Sequence, residues 1–271
     1  MMQIKKYIQL NLAAAIIIPT LLTSCNSDAP VMERPEKVYY DTAQRRMKAN
    51  NFFSAIESLQ AIEARYPFGR YAEQAQSELI YAYYMNGEDE ASHEAAEKFI
   101  RLNPRHPNID YAYFMRGIAS YTRDKGVFAR VFKSDLSNRD ISGAKQAFGE
   151  LSEFLTRFPQ SQYAPYASQR LIYLRTLIAK NELVAAEYYL KRKAYVAALR
   201  RAKYVIENIP NTSENMRALQ IIRKCYEALG YFELMEDIER VIEENGGSII
   251  ESSEPSSWNF FSRKAPRPNQ N

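Results

Sequence analysis

Apolar side chains recur at helical spacing along this chain. The clearest stripe is Leu219, Ile222, Cys225, Tyr226 and Leu229, in which the intervals of three and four residues place every member on one face of a helix. Glycine occurs only 9 times in 271 residues, and alanine, leucine, glutamate, arginine and tyrosine are abundant, which suits helices better than sheet. We therefore predict an all-α protein in which Cys225 is a small buried hydrophobe.

A second pattern repeats along the chain: a small residue is followed, twelve positions later, by a proline. The pairs are Ala55 with Pro67, Ser92 with Pro104, Ala147 with Pro159, and Ala198 with Pro210. Proline lacks an amide proton and its ring clashes with the preceding turn, so each proline is predicted to end a helix. Each small residue is predicted to lie where the two helices of a hairpin approach closely.

This pattern resembles the tetratricopeptide repeat, a helix–turn–helix unit of about 34 residues. The residues that match its small, aromatic and turn-glycine positions are Ala43, Phe52, Ala55, Tyr83, Gly87, Tyr113, Gly117, Ala186, Tyr189, Tyr195 and Ala198. Counting back from each of the four prolines therefore gives the same alignment with the repeat. The resemblance implies a right-handed solenoid of about five repeats, each burying its face against its neighbours.

The spacing of the prolines departs from a regular repeat and indicates insertions. Pro104 and Pro159 are 55 residues apart, which predicts an insertion at about 124–140 between the two helices of the third repeat. The next interval, 51 residues, predicts a long segment from about Tyr163 to Arg192, formed by one helix or two. The predicted divisions are a leader at 1–24, a linker at 25–35, repeats one to three at 36–160, repeats four and five at 161–245, and a disordered tail at 246–271.

The start of the chain has the features of a secretory signal. Lys5 and Lys6 precede an apolar stretch that ends at Leu22, and this stretch is shorter than the roughly 20 residues of a membrane-spanning helix. Leu22-Thr23-Ser24-Cys25 resembles the lipobox of bacterial lipoproteins, which implies cleavage before Cys25 and acylation of its thiol. The alternative is an ordinary signal peptide with an incidental cysteine.

The residue after Cys25 bears on the destination of the chain. In lipoproteins an aspartate at this position typically retains the protein in the inner membrane, whereas this chain has Asn26. We therefore expect a lipid anchor in the outer membrane, facing the periplasm. Because acyl chains contribute about 0.8 kcal/mol per buried methylene, such an anchor would be stable.

Charge and side-chain chemistry argue against nucleic acid binding and catalysis. The formal net charge of +4 falls to +2 without Lys5 and Lys6, which is too small for the basic footprint of a nucleic-acid-binding protein. His93 and His106 have no carboxylate or thiol at metal-ligand spacing, and no phosphate-binding loop or nucleophile motif occurs. We predict no metal site, no cofactor and no enzymatic activity.

The repeat register predicts an aromatic groove on the first helices of repeats one to three. Its candidate residues are Tyr40, Met47, Tyr81, Tyr84, Tyr111, Phe114 and Tyr121. Aromatic rings give a large contact area at little entropic cost, so such a groove suits an extended peptide with aromatic side chains. The alternative is that several of these rings fill the joints between repeats.

Longer stretches of the chain resemble the BamD family of outer-membrane lipoproteins, a component of the β-barrel assembly machinery. These stretches are Tyr-Pro-Phe-Gly-Arg-Tyr at 66–71, Leu-Ile-Tyr-Ala-Tyr-Tyr at 79–84, Phe-Ile-Arg-Leu-Asn-Pro at 99–104, His-Pro-Asn-Ile-Asp-Tyr at 106–111 and Ala-Glu-Tyr-Tyr at 186–189. Within the first stretch, Phe68, Gly69 and Tyr71 are the family-motif residues. The resemblance extends from about Glu33 to Glu244.

The resemblance implies two binding regions. The N-terminal repeats would bind the C-terminal targeting strands of unfolded outer-membrane proteins. The C-terminal repeats would dock the barrel-forming subunit and carry small accessory lipoproteins. Arg201 matches a family position that supports contact with the barrel-forming subunit, and its planar guanidinium suits bidentate carboxylate binding. A solvated helix face is the alternative for Arg201.

Other functions remain open at the level of sequence. The chain could be another periplasmic repeat lipoprotein, concerned with the cell envelope or division, or a competence-linked relative. The insertion mixes aromatic and basic residues and is predicted either to contribute to a partner surface or to pack on its own repeat. In the tail, Trp258, Phe260 and Phe261 could form a docking or membrane-surface segment, or could belong to a disordered end.

Overall fold

The computed structural model describes residues 34–123, 140–246 and 267–268. Within these residues it contains ten helices and no strand, which confirms the all-α class. The helices are α1 (Glu36–Lys48), α2 (Phe52–Arg65), α3 (Ala72–Asn86), α4 (Asp89–Leu102), α5 (Ile109–Arg123), α6 (Ser142–Arg157), α7 (Ala164–Lys191), α8 (Tyr195–Asn208), α9 (Asn215–Leu229) and α10 (Phe232–Asn245). Predictions at Cys25, at 124–139 and at Trp258, Phe260 and Phe261 lie outside the described residues.

The helices form five successive pairs. Each helix packs against the next, and α3 also contacts α5 while α7 contacts α9, so that first helices of neighbouring pairs meet. This is the contact pattern of stacked helical hairpins. The small residues predicted at close approaches, Ser92 among them, have no exposed surface; the others are Ala55, Ala147 and Ala198.

Four second helices end in the same way, two residues before a proline. The residue between the helix and the proline has left the helical region, with φ between −131° and −124° and ψ between 52° and 58°. Its N–H still bonds the carbonyl four residues earlier, as from Tyr66 to Ile62. Because proline crowds the residue before it out of the helical conformation, the helix cannot continue. The predicted role of the four prolines is confirmed.

The turns of the first, second, fourth and fifth pairs share a left-handed residue. Gly87 (φ 93°) and Gly230 (φ 76°) occupy this position in the second and fifth pairs, and Asn50 (φ 56°) and Lys193 (φ 59°) occupy it in the first and fourth. In each turn the next residue donates its N–H to a carbonyl five residues earlier. This arrangement satisfies the last carbonyls of the first helix and reverses the chain within two or three residues.

The buried side chains form two clusters along the stack. One belongs to α1, α2 and α3, and the other runs from α3 to α9. Cys225 is a free, buried cysteine, as predicted, and its burial raises the pKa of its thiol. The long segment of the fourth pair is a single helix of 28 residues, α7. Among the described residues no helix is long and apolar enough to cross a membrane.

Candidate functional site

The structure separates the aromatic residues that the sequence assigned to one groove. Tyr40 and Tyr81 are partly exposed on α1 and α3, whereas the other candidates are buried in the core. The buried candidates are Met47, Tyr84, Tyr111, Phe114 and Tyr121. For most of the predicted rings the expectation of an accessible contact surface is therefore not met.

Phe114 and Tyr121 are buried because they fill the joint between the third and fourth pairs. The ring of Phe114 stacks on Tyr163 with centroids 5.2 Å apart, and Phe154 lies 5.8 Å away. The ring of Tyr121 meets Tyr173 edge-on, and the guanidinium of Arg170 lies 4.3 Å from its centroid. These contacts match the alternative that the rings hold neighbouring repeats together.

A cluster of polar side chains is contributed by α1, α3 and α5. We call it the Glu78 pocket and define it by Tyr40, Gln44, Glu78, Tyr81 and Tyr111. Tyr40 and Gln44 are four residues apart on α1, so both face α3. The Glu78 carboxylate is fully buried and accepts hydrogen bonds from the Tyr40 hydroxyl (3.3 Å) and the Gln44 amide.

The electrostatics of the pocket follow from the burial of this carboxylate. Burial raises the pKa of Glu78, and its hydrogen bonds lower it in part. Burial and the negative charge of Glu78 raise the pKa of Tyr40, and burial raises the pKa of Tyr81 and Tyr111. The buried Tyr111 hydroxyl has no hydrogen-bond partner among the described residues. The pocket thus presents a buried negative charge beside an unsatisfied hydroxyl, an arrangement suited to a donor or cation.

Part of the C-terminal tail occupies this pocket. Arg267 donates a hydrogen bond to the Gln44 Oε1 atom (2.8 Å), its Nη2 lies 3.5 Å from the Met47 sulfur, and its guanidinium lies 6.0 Å from the centroid of the Tyr81 ring. Pro268, the next residue, is buried. At these two residues the pocket offers an acceptor, a thioether and an aromatic face to one guanidinium.

Sequence reasoning missed Glu78, although a signal was present. Glu78 lies three residues after Ala75 and four before Ala82, and both alanines are fully buried. An acidic residue at the centre of such a buried helical face indicates a partner or a ligand, because an unpaired buried carboxylate is costly.

The family-motif residues Phe68, Gly69 and Tyr71 lie in the turn before α3. The carboxylate of Glu36 accepts hydrogen bonds from the backbone N–H groups of Arg70 (3.1 Å) and Tyr71 (2.7 Å), and this closes the turn onto α1. The ring of Tyr71 stacks on Tyr40 at 4.5 Å, which places it beside the Glu78 pocket. The Phe68 side chain is 100% exposed.

Replacing Gly69 by alanine should break this closure. A Cβ at position 69 would lie 2.2 Å from the Glu36 Oε1 atom, so the carboxylate must move and lose its two backbone hydrogen bonds. We expect Gly69→Ala to lower the free energy of unfolding by about 1–2 kcal/mol, measured by urea denaturation. The exposed neighbour provides the control, since Phe68→Ala should change stability by less than about 0.5 kcal/mol. Equal stability of the two variants would show that the Glu36 contact contributes nothing.

Arg201 is engaged within the chain and also partly exposed. It donates a hydrogen bond of 2.6 Å to the buried Glu182 carboxylate, which Lys145 binds from the other side at 3.0 Å. Burial would raise the pKa of Glu182, but the hydrogen bonds and charges of Arg201 and Lys145 outweigh it and lower the pKa. The Arg201 side chain remains 47% exposed. Arg201 therefore links α8 to α7, and part of its side chain remains exposed to solvent in the C-terminal half of the stack.

The two histidines have partners that explain their positions. His93 hydrogen-bonds the Glu150 carboxylate at 2.9 Å, and this bond raises the pKa of His93 although burial acts against it. His106 Nδ1 accepts the backbone N–H of Asn108 at 3.0 Å. In the part of the chain that the structure describes, no three histidine, cysteine or acidic side chains lie together as metal ligands would.

Five stacked helix pairs define a helical-repeat protein, with a polar cluster on the first helices and a buried ion cluster farther along. Comparison with known sequences then specifies the family. The family model described as "Outer membrane lipoprotein" (YfiO) matches residues 32–241, and the chain belongs to this family. Together with the relatives described next, this match confirms the resemblance to the BamD family predicted from the sequence.

Relatives named outer membrane protein assembly factor BamD are similar over most of their length. The protein of Vibrio cholerae is 33% identical over 86% of this chain and 97% of its own. The protein of Neisseria meningitidis serogroup A is 36% identical over 78% of both chains. That of Xylella fastidiosa strain 9a5c is 34% identical over 86% of this chain and 81% of its own. A solved kinesin-light-chain structure from Podosopora anserina with TPR-like repeats covers 80% of this chain and 100% of its own, with a TM-score of 0.40 and 14% identity.

Proposed function

We propose that this chain is a non-enzymatic scaffold of outer-membrane protein assembly, in which the N-terminal repeats bind C-terminal targeting strands of unfolded outer-membrane proteins. The observation that carries the proposal is the Glu78 pocket and its surroundings, which already accommodate a non-helical piece of chain, residues 267–268. The name shared by its relatives, outer membrane protein assembly factor, supports the same class of function.

The chemistry around the pocket suits a strand with aromatic side chains. The stacked rings of Tyr40 and Tyr71 and the partly exposed ring of Tyr81 provide aromatic surface next to polar groups. Aromatic pairs contribute about 0.5–1.5 kcal/mol beyond the area they bury. Gln44 and the Tyr40 hydroxyl can hydrogen-bond a backbone that has no partner strand, because both carry donors and acceptors.

The C-terminal repeats are the proposed docking region for the barrel-forming subunit and the small accessory lipoproteins. The last helix, α10, has no buried residue, and large apolar side chains are exposed on α7, on α8, and on or just before α10. These side chains are Tyr188, Val196, Tyr204, Tyr231, Phe232, Leu234 and Val241. Apolar surface of this kind at the end of a repeat stack marks an interaction site. The proposed lipid anchor at Cys25 would hold the whole at the periplasmic face of the outer membrane.

Photo-crosslinking in cells that produce the full chain tests both halves of the proposal. A benzoylphenylalanine probe in place of Tyr81 is expected to crosslink to unfolded outer-membrane proteins, and a probe in place of Arg201 to the barrel-forming subunit. The control position is Phe53, which is 63% exposed on the second helix of the first pair and should give neither product.

The proposal would be wrong if the probes at 81 and 201 were crosslinked only to peptidoglycan-associated or division proteins. A general envelope scaffold would then be the better description. Salt-dependent affinity for duplex DNA would instead favour the competence-linked alternative, because phosphate contacts release counterions.

A further inference from the structure

Arg267 contacts three side chains at the Glu78 pocket, and its buried Nε has no hydrogen-bond partner among the described residues. One nitrogen, Nη2, donates to Gln44 Oε1 and also lies beside the Met47 sulfur, while the planar group is within cation–π distance of Tyr81. Burial raises the pKa of Glu78, Tyr40, Tyr81 and Tyr111, and the positive charge of Arg267 opposes part of that rise in each. Groups from three helices thus converge on one side chain.

A guanidinium fits this pocket better than a neutral side chain would. The Glu78 carboxylate is fully buried and accepts hydrogen bonds from the Tyr40 hydroxyl and from the amides of Gln44 and Gln74. A cation beside them offsets the cost of the buried negative charge. Arginine combines that charge with a flat surface for the Tyr81 ring and donors for Gln44.

We propose that the Glu78 pocket is an arginine-binding site whose resident occupant is Arg267 of the chain's own tail, and that the tail competes with other extended segments for this surface. The first part rests on the contacts above. The second part rests on the function proposed for the N-terminal repeats. Any strand that uses the surface around Tyr40 and Tyr81 must then displace Arg267 and Pro268.

Attachment to the same chain favours the tail as occupant. Because Arg267 and Gln44 belong to one chain, docking of the tail is intramolecular, and its effective concentration depends on the residues that connect them. When the tail occupies the site, an external segment cannot bind. The apparent affinity for that segment is therefore its intrinsic affinity multiplied by the fraction of molecules whose site is unoccupied. If about nine molecules in ten are closed, removing Arg267 raises the apparent affinity roughly tenfold.

Docking of the tail can be measured without reference to any partner. Photo-methionine is incorporated into the full chain, the purified protein is illuminated, and crosslinks from position 47 are mapped by mass spectrometry. We expect a crosslink from position 47 to residues 265–271 in the monomer, lost in Arg267→Ala, weakened in Glu78→Gln and partly kept in Arg267→Lys. Arg263→Ala, a charge change in the same tail, is the matched control and should leave the crosslink intact.

Competition is measured separately by fluorescence anisotropy with a labelled peptide of the last ten or so residues of an outer-membrane β-barrel protein. The peptide should bind Arg267→Ala about tenfold more tightly than the unchanged protein or Arg263→Ala. A crosslink that survives Arg267→Ala, or that forms only between molecules, would overturn the pocket assignment. Equal peptide affinities for the unchanged protein and Arg267→Ala would overturn the competition.

The two proposals fail in different ways. If the crosslink depends on Arg267 but the peptide binds neither protein, strand recognition by the N-terminal repeats is wrong while the arginine pocket stands. If the peptide binds at the Tyr81 surface with or without Arg267 and no tail crosslink is formed, strand recognition stands and the arginine pocket is wrong.

Discussion

Replacing Phe114 by alanine is expected to lower the free energy of unfolding by about 3–5 kcal/mol, the usual range for removing a fully buried phenylalanine. The ring lies between Phe154 and Tyr163, where the third pair of helices meets the fourth, and none of it is exposed. Because repeats are stabilised by their interfaces with neighbours, the cavity weakens the link between the two halves of the stack as well as the repeat itself.

Urea denaturation followed by circular dichroism measures this effect, and the chain contains a matched control. Phe53 is a phenylalanine on a second helix, but its ring is 63% exposed, so Phe53→Ala should change stability by less than about 0.5 kcal/mol. The opposite result would be informative. A Phe114→Ala protein as stable as the unchanged one, yet unable to bind a targeting-strand peptide, would restore Phe114 to the groove that the sequence predicted.

The helix ends and close approaches could be predicted because their causes are local. Proline excludes the preceding residue from the helical region wherever it occurs, so the ends near Pro67 and Pro159 follow from the residue type alone. The small residues twelve positions earlier are likewise fixed by the need for two helices to approach closely. Such features depend on the chain within one repeat, and the sequence displays them directly.

The division of the aromatic residues could not be predicted for a different reason. A first helix in a stack touches its own partner and the helices of both adjacent repeats, so little of its surface remains free. On α5 almost every residue from Tyr111 to Tyr121 is buried, which leaves no periodic contrast between core and surface. Periodicity identifies the helix but cannot indicate which rings face solvent.

The candidate site depends on contacts between residues far apart in the chain. Tyr40 and Glu78 are separated by 38 residues, and Arg267 and Gln44 by 223. No local pattern specifies which acidic side chain on α3 will meet which residue of the tail. The same holds for Glu182, whose partners Lys145 and Arg201 come from two other helices. In both clusters, the residue that organises the site is the buried carboxylate.

At Gly117 the helices α5 and α6 pack closely, and replacement of this glycine by alanine is expected to be destabilising. A Cβ at this position would lie 2.7 Å from two side-chain atoms of Leu151 and 3.3 Å from its backbone nitrogen. Leu151 is fully buried and cannot turn away, so the two helices must separate. We expect Gly117→Ala to lower the free energy of unfolding by about 1–3 kcal/mol, although alanine is the better helix former.

A second substitution, Gly149→Ala, measures the effect of helix propensity alone and so serves as the control for Gly117→Ala. Gly149 lies on α6 in the same helix pair, and a Cβ there would have no neighbouring atom within 4 Å. Gly149→Ala should therefore raise the free energy of unfolding by about 0.5–1 kcal/mol, because glycine costs that much in a helix. Both variants gain the same propensity, so the difference between them in urea denaturation measures the α5–α6 contact. If Gly117→Ala were stabilised as much as Gly149→Ala, the two helices would not be in close contact, and Gly117 would have no packing role in the third repeat.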